Sequence, residues 1–330
     1  MASTTNPAGL QVIDPVLTNL ALNYKPGQFV YDQIVSHMDV ATNTGQYPVW
    51  DADDFFRSGD LDPAVADRAP TPEIDLTYSL SSYALTNYRL KISFTNEERA
   101  QAHDALRFEQ TKTQFLVSRM KLERERRLAA QLRKTTNGGA LTLGANAGNK
   151  WDVDAGTIEA DIKTGRKAVR DATGQAVDTI VMDWAVAYAV ALQQDIRDII
   201  KYTVPGDRIL VGGEAILPRV LHGLRVVVAG EGNMYNSAKE GGTANRTAIW
   251  GDSVRLIKTA EANAWGEPAT VYSLRGTVNG ERPSGGEPSY CLVDRWAGDD
   301  PPINYIRYWE KVQEKVVAPD VGYEIGDVLT

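Results

Sequence analysis

The stretch from Thr95 to Lys134 constrains this chain more than any other. Thr95 and Glu98 have the spacing of a capping box, so a helix is predicted to start there. No proline or glycine occurs in the 39 residues from Asn96 to Lys134, and Asn137-Gly138-Gly139 supplies a stop. At 1.5 Å per residue this is a single rod of roughly 58 Å, longer than an ordinary globular helix. Ala102, Leu106, Thr113, Val117, Met120, Arg124 and Leu128 fall on one side of it at helical spacing. That stripe is thin and interrupted by an arginine, which predicts a rod that does not pack on one core along its whole length. Heptads are not sustained, which argues against a two-stranded coiled coil.

Charge divides this helix. Asn96 to Gln110 holds four acids and two arginines. Lys121 to Lys134 holds six bases (Lys121, Arg124, Arg126, Arg127, Arg133, Lys134) against Glu123 and Glu125. The polarity suits the helix dipole, and it also suits a basic end that receives an acidic partner. A candidate for that partner lies upstream. Asp51 to Asp62 carries Asp51, Asp53, Asp54, Asp60 and Asp62 against Arg57 alone, hence a net charge of -4. These acids, together with Arg124, Arg126, Arg127, Arg133 and Lys134, are the expected contacts between copies of the chain.

The flanks bound the fold. Residues 1 to 45 read as an arm in which Pro7, Pro15 and Pro26 break any long element. Residues 46 to 92 read as a long two-stranded hairpin with an acidic tip. Gln46 to Asp51 is one strand, and Ile74, Leu76, Tyr78 and Leu80 share one face of the return. Tyr88, Leu90, Ile92 and Phe94 alternate in the same way on the path into the helix. An isolated two-stranded hairpin is marginal in water, so something must cover it. Past the helix, the small-residue run from Thr135 to Lys150 is the best boundary in the sequence. Strands and helices then alternate: a helix ending before Gly174, a buried strand from Asp178 to Met182, and a helix capped by Asp183. Further strands are expected at Leu224–Ala229, Thr247–Trp250, Val254–Ile257, Thr270–Leu274, Tyr290–Val293 and Ile303–Val317.

Sites of chemistry are absent from the pattern. His37, His103 and His222 sit in unrelated segments with no second histidine or cysteine at ligand spacing. There is no nucleophile elbow, Walker loop or dinucleotide fingerprint. No cofactor or metal is expected, and an enzyme using a pair of carboxylates is a minor alternative. With 330 residues, 43% hydrophobic and 24% charged, the chain has globular values, and a net charge of -8 argues against an outer surface built to grip nucleic acid. The longest apolar run, Trp184 to Leu192, is too short to span a bilayer, and no signal peptide or membrane contact is expected. The single cysteine, Cys291, is expected as a small buried hydrophobe.

Three stretches carry a resemblance. DTIVMDWAVAYAVALQQDIRDIIKYT, LHGLRVVVAGEGNMYNSAKEGGTANRTAIWGDSVRLI and EKVVAPDVGYEI resemble, in that order, segments of tailed-phage major capsid proteins of the Hong Kong 97 (HK97) fold. The resemblance implies an α+β fold with an N-arm (1–45), an E-loop hairpin (46–92), a P-domain (93–151 and 299–330, with a spine helix over 96–134) and an α/β A-domain (152–298). It implies a shell protein that joins itself in pentamers and hexamers, in a virion assembled in the bacterial host cytoplasm. Its implied partners are a separate scaffolding protein, a portal, a possible decoration protein and packaged double-stranded DNA held without sequence preference. An encapsulin-like compartment is the alternative with the same fold, and the arm in place of an N-terminal helix weighs against it. The type member of the family links an E-loop lysine to a neighbour's asparagine. Residues 26 to 90 here contain no lysine, so that weld is not expected.

Overall fold

The computed structural model describes residues 12–13, 16–17, 29–50, 64, 78–102, 105–153, 156–201, 208–211, 215–239, 241–261, 267–278, 291–298 and 302–330. In chain order the elements are β1 (Val12–Ile13), α1 (Tyr31–Ile34), β2 (Ser36–Val40), β3 (Thr44–Trp50), β4 (Tyr78–Ala84), β5 (Thr86–Thr95), α2 (Asn96–Gln101) and α3 (Ala105–Gln131). There follow β6 (Leu143–Asn146), α4 (Ile158–Thr173), β7 (Thr179–Met182), α5 (Trp184–Leu192), α6 (Gln194–Lys201), β8 (Arg208–Val211), β9 (Ala215–Pro218), β10 (Val220–Leu221) and β11 (Leu224–Val228). The chain closes with β12 (Met234–Asn236), β13 (Arg246–Ala248), β14 (Val254–Ile257), β15 (Val271–Gly276), β16 (Cys291–Ala297), β17 (Ile303–Val316) and β18 (Tyr323–Gly326).

The expected single rod is two helices. The capping box forms: Glu98 N–H donates to Thr95 Oγ1 at 3.1 Å, and Thr95 N–H donates to Glu98 Oε2 at 3.3 Å. But α2 ends at Ala102, whose backbone is extended (φ -69°, ψ 134°). A helix carried straight through would set residues 99 and 109 about 15 Å apart along its axis. The break instead brings Arg99 Nε within 3.0 Å of Glu109 Oε1. Asp104, a residue type that caps helices, stands directly before Ala105 and is the signal in the sequence for a second start.

Two sheets hold the fold. β17, fourteen residues long, organises the first. β5 pairs with it from Ile303 to Val312, β16 from Asn304 to Glu310, and β15 from Val312 to Val316. Because β5 overlaps both of the others, β16 and β15 must follow one another along the opposite edge. β1 extends the sheet beyond β16, and β2 lies parallel to β15. The second sheet runs β10-β11-β7-β14-β18-β6. α4 closes on it through a narrow contact, since a Cβ on Gly165 would stand 2.7 Å from Leu256 and 2.9 Å from Tyr323.

These pairings correct two expectations. Thr135 to Lys150 does not separate two units: β6 within it is a parallel edge strand to β18, so the sheet crosses the expected boundary. β15 and β16, expected with the α/β half, instead pair with β17. β17, at fourteen residues, is long enough to take β16 and then β15 along one edge. The arm is also more than an arm. Val30, Tyr31, Ile34, Val35 and Met38 are buried, and β2 ends the first sheet as the strand beyond β15. A two-stranded ribbon forms from β3 and β4, registered from Thr44 with Ala84 to Trp50 with Tyr78, but it is shorter than the expected 46–92, since β5 inside that span pairs with β17 instead. Its acidic tip, Asp51 to Asp62, lies outside the described residues.

Candidate functional site

The structure's charged centre lies under α3. The buried face of this helix holds Thr113, Leu116, Val117, Met120, Arg124, Leu128 and Leu132. The predicted stripe from Thr113 to Leu128 is therefore packed, while Ala102 is half-buried before the helix starts and the Leu106 side chain lies outside the described residues. As the thin stripe implied, the helix does not pack on one core throughout: Leu116, Val117 and Met120 join one apolar cluster and Leu128 and Ala129 another, and Arg124 lies between them, where β17 brings carboxylates to meet it. Strand alternation puts Tyr308, Glu310, Val312 and Glu314 on the side of β17 that faces α3. Arg124 is ion-paired to Glu310, and the hydroxyl of Tyr308 donates to the same carboxylate at 3.1 Å. One turn on, Arg127 grips Glu314 through two bonds of 3.2 and 3.0 Å, with its guanidinium 3.7 Å from the centre of the Tyr88 ring.

Beside these pairs sits a carboxylate with no cation paired to it among the described residues. Glu125 is fully buried and accepts four hydrogen bonds: from Val30 N–H (3.2 Å), Tyr31 N–H (2.8 Å), Asn233 Nδ2 (3.1 Å) and Trp250 Nε1 (2.7 Å). The donors come from the arm and from two loops of the α/β half, so one side chain fixes three segments to the helix. Burial raises the Glu125 carboxyl above the usual carboxylate range, and the four donors pull it back without cancelling the effect.

The end of α3 is held in a similar way. Arg255, fully buried on β14, donates to the carbonyls of Trp250 (2.6 Å), Ser253 (2.7 Å) and Leu132 (3.3 Å). The last of these is a carbonyl at the helix C-terminus, where a cation also opposes the dipole. Burial lowers Arg255 to about 10. Glu324 of β18 lies 3.9 Å away and accepts from Lys134 N–H and Asn137 Nδ2. Asn233, Trp250 and Glu324 all fall inside the stretches that carried the family resemblance, so those motifs encode the clasp on α3.

The expected contact residues divide accordingly. Arg124 and Arg127 are committed to their own chain's Glu310 and Glu314. Lys134 donates through Nζ to the Gly144 carbonyl at 2.8 Å, and Arg133 is half-buried. Arg126 alone is exposed, paired with Glu123 and stacked 5.6 Å from the Tyr235 ring centre. The five acids lie outside the described residues, so the structure does not bring the two groups together. Glu125, Glu310, Glu314, Arg255 and Glu324 were missed by sequence reasoning. The available signal was acids at inward positions of an alternating strand.

Comparison with known proteins now has a geometry to meet. No family model matches the chain. A protein named "Major capsid protein" from Burkholderia phage BcepMu is 22% identical over 331 residues, covering 97% of each chain. The solved structure of a phage-related protein from Bordetella bronchiseptica RB50 superposes with a TM-score of 0.67, at 15% identity and over 96% of this chain and 98% of its own. The capsid of cyanophage P-SCSP1u gives 0.56 at 9% identity, over 92% and 89%. The chain has the HK97-like capsid fold. That fold also includes the holo-SrpI encapsulin complex of Synechococcus elongatus PCC 7942, which gives 0.51 at 11% identity over 90% and 86%.

In this HK97-like subunit the ionic joint makes two firm predictions. Arg124→Met leaves Glu310 buried without its main cation and should cost about 3–5 kcal/mol in denaturant unfolding, while Arg124→Met with Glu310→Met recovers most of it. Equal losses in single and double variants would contradict the pairing. The second concerns pH. A carboxyl whose folded pKa is raised contributes stability that is full below its unfolded value, about 4.3, and is lost as pH rises through its folded value. Glu125→Gln should therefore cost about 1–2 kcal/mol near pH 5, by turning one acceptor against the Tyr31 N–H, and less at pH 8. A penalty that grows with pH would overturn this assignment.

Proposed function

We propose that this chain is the major capsid protein of a tailed phage, a structural subunit and not an enzyme. The observation that carries the reading is coverage. Fold similarity runs over nearly the whole chain, and the relative of the same length bears the name "Major capsid protein". The internal organisation fits that role. A charged joint fixes arm, spine, sheet and α/β half into one body. The β3–β4 ribbon meanwhile exposes Tyr78 and Leu80, each more than half accessible. A two-stranded ribbon with uncovered apolar residues is marginal alone, and a neighbouring subunit is the natural cover.

In this reading β3 and β4 are the arms of the E-loop, α3 is the spine, and copies meet as pentamers and hexamers around the local axes. A separate scaffolding protein, a portal and a decoration protein are partners to be sought. The packaged DNA is held by scattered cations without base readout, in keeping with the net charge of -8. The encapsulin reading shares the fold and assigns a protein cargo instead.

Electron microscopy of the expressed chain, with and without a scaffolding partner, tests this. Closed shells are expected, and shells recovered from infected cells should hold nuclease-protected duplex DNA of mixed sequence. A chain that stays monomeric under all conditions contradicts the shell reading. Shells filled with one enzyme favour the compartment.

A further inference from the structure

The outer face of α4 carries charge that neither the joint nor the clasp on α3 uses. α4 and α3 pack on opposite faces of the second sheet. Ile162 and Val169 of α4 share a core with Ile180, Met182 and Leu256, while Leu128 and Leu132 of α3 share another with Val181 and Ile257. α4 turns Ile158, Ile162, Gly165 and Val169 inward, so the positions between them fall outside. Those outward positions include Lys163, Arg166, Lys167 and Arg170, all exposed. With the turn from Gln175 to Val177 they line a groove in which every charged residue is a cation.

These cations are positioned but not neutralised as a set. Lys163 pairs with Glu159 and Arg170 with Asp171, both at the surface, where such pairs are weak. Arg166 Nη1 donates to the His222 carbonyl in the β10–β11 turn at 2.5 Å, which holds the guanidinium without cancelling its charge. Lys167 has no acidic partner among the described residues. Lys258 Nζ donates to Gln175 Oε1 at 2.7 Å and brings a fifth cation to the floor. Asp178, beyond that floor, is engaged by the Thr259 N–H and hydroxyl, each 3.0 Å from its Oδ2. The helix dipole accounts for Arg170 in the last turn, but not for Lys163 in the first half of the helix.

We propose that this groove binds the phosphate backbone of packaged duplex DNA. The inference rests on the shell reading and gives the enclosed DNA a defined place of contact. Three observations favour phosphates. With a net charge of -8 the chain as a whole repels DNA, so a contact needs a local concentration of cations. The seven residues from Lys163 to Arg170 span about 10.5 Å of helix, a length over which a duplex carries about six phosphate charges. The Lys163 and Arg170 side chains are 71% and 67% exposed, free to leave weak surface pairs for a partner of higher charge density. Backbone contacts of this kind hold DNA without reading its sequence.

Binding of a labelled mixed-sequence duplex to the purified full-length chain, followed against salt, tests this. Four phosphate contacts give a slope of about -3.6 in log K against log salt, a loss of about a hundredfold between about 50 and 200 mM. Lys163→Gln with Lys167→Gln should halve the slope to about -1.8, a loss of only about tenfold over the same range. Lys167→Gln alone, which breaks no internal pair, should give about -2.7. Glutamine is a good helix former, so the unfolding midpoints should not move. Arg89→Gln with Lys91→Gln removes two exposed cations from β5 and should keep the wild-type slope. No binding at about 50 mM salt, one slope for all chains, or an equal fall in the β5 variant overturns this inference and leaves the shell reading standing. Polyglutamate that displaces the duplex as well as unlabelled DNA does would assign the groove to an acidic polypeptide and overturn the phosphate assignment. A chain that never forms particles overturns the shell reading, whatever slope its free subunits show.

Discussion

The pairing of Arg124 and Arg127 on α3 with Glu310 and Glu314 on β17 is the interaction on which the rest of the structure depends. A helix laid on a sheet through apolar residues alone can slide, since leucines and valines pack nearly as well one step along. An arginine in a dry interface has one acceptable place. A one-residue slip of β17 would carry Glu310 and Glu314 to the opposite face and strand both cations. The ionic joint therefore fixes register. The apolar residues around it, Leu116, Val117 and Met120 against Phe94, Val293 and Ile306, supply most of the favourable free energy.

From that register the other parts follow. With α3 placed, Glu125 is buried at one height and collects Val30, Tyr31, Asn233 and Trp250 around it. The arm and the α/β loops are thereby tied to the same helix by one carboxylate. Arg255 and Glu324 do the same for the helix end, and Glu324 brings β18, and with it β6, into the second sheet. The joint also uses cations that the sequence offered for assembly: Arg124 and Arg127 are held inside, while Tyr78 and Leu80 of the β3–β4 ribbon stay uncovered.

Much of this was legible in the sequence, and the failures have physical causes. The α+β class, the start of the spine at Thr95, its long second part and most strands of the α/β half follow from periodicity and caps. Asp183 caps α5 through the Ala185 N–H as its position implied, and Cys291 is buried in β16 as its apolar context implied. The joint was not legible. A hydrophobic pattern marks arginines and glutamates as surface residues, and only the pairing of distant segments shows that 124 and 310 neutralise each other. The break after Gln101 was missed because no glycine or proline marks it and Asp104 alone signals the second start. Strand partners were missed because periodicity gives a strand its faces and not its neighbours. β15 and β16 were thus placed with the wrong sheet, and β6 was read as part of a boundary.

Hydrogen–deuterium exchange compared between free subunits and assembled shells tests the central claim most directly. If the joint is a property of the single subunit, the amides of α3 from Met120 to Leu132 and of β17 from Ile306 to Glu314 form one slowly exchanging unit. Their protection should be the same in free and assembled chains, while that of β3 and β4 increases on assembly. Rapid exchange of the α3 and β17 amides in the free subunit, with protection appearing only in the shell, would contradict the account.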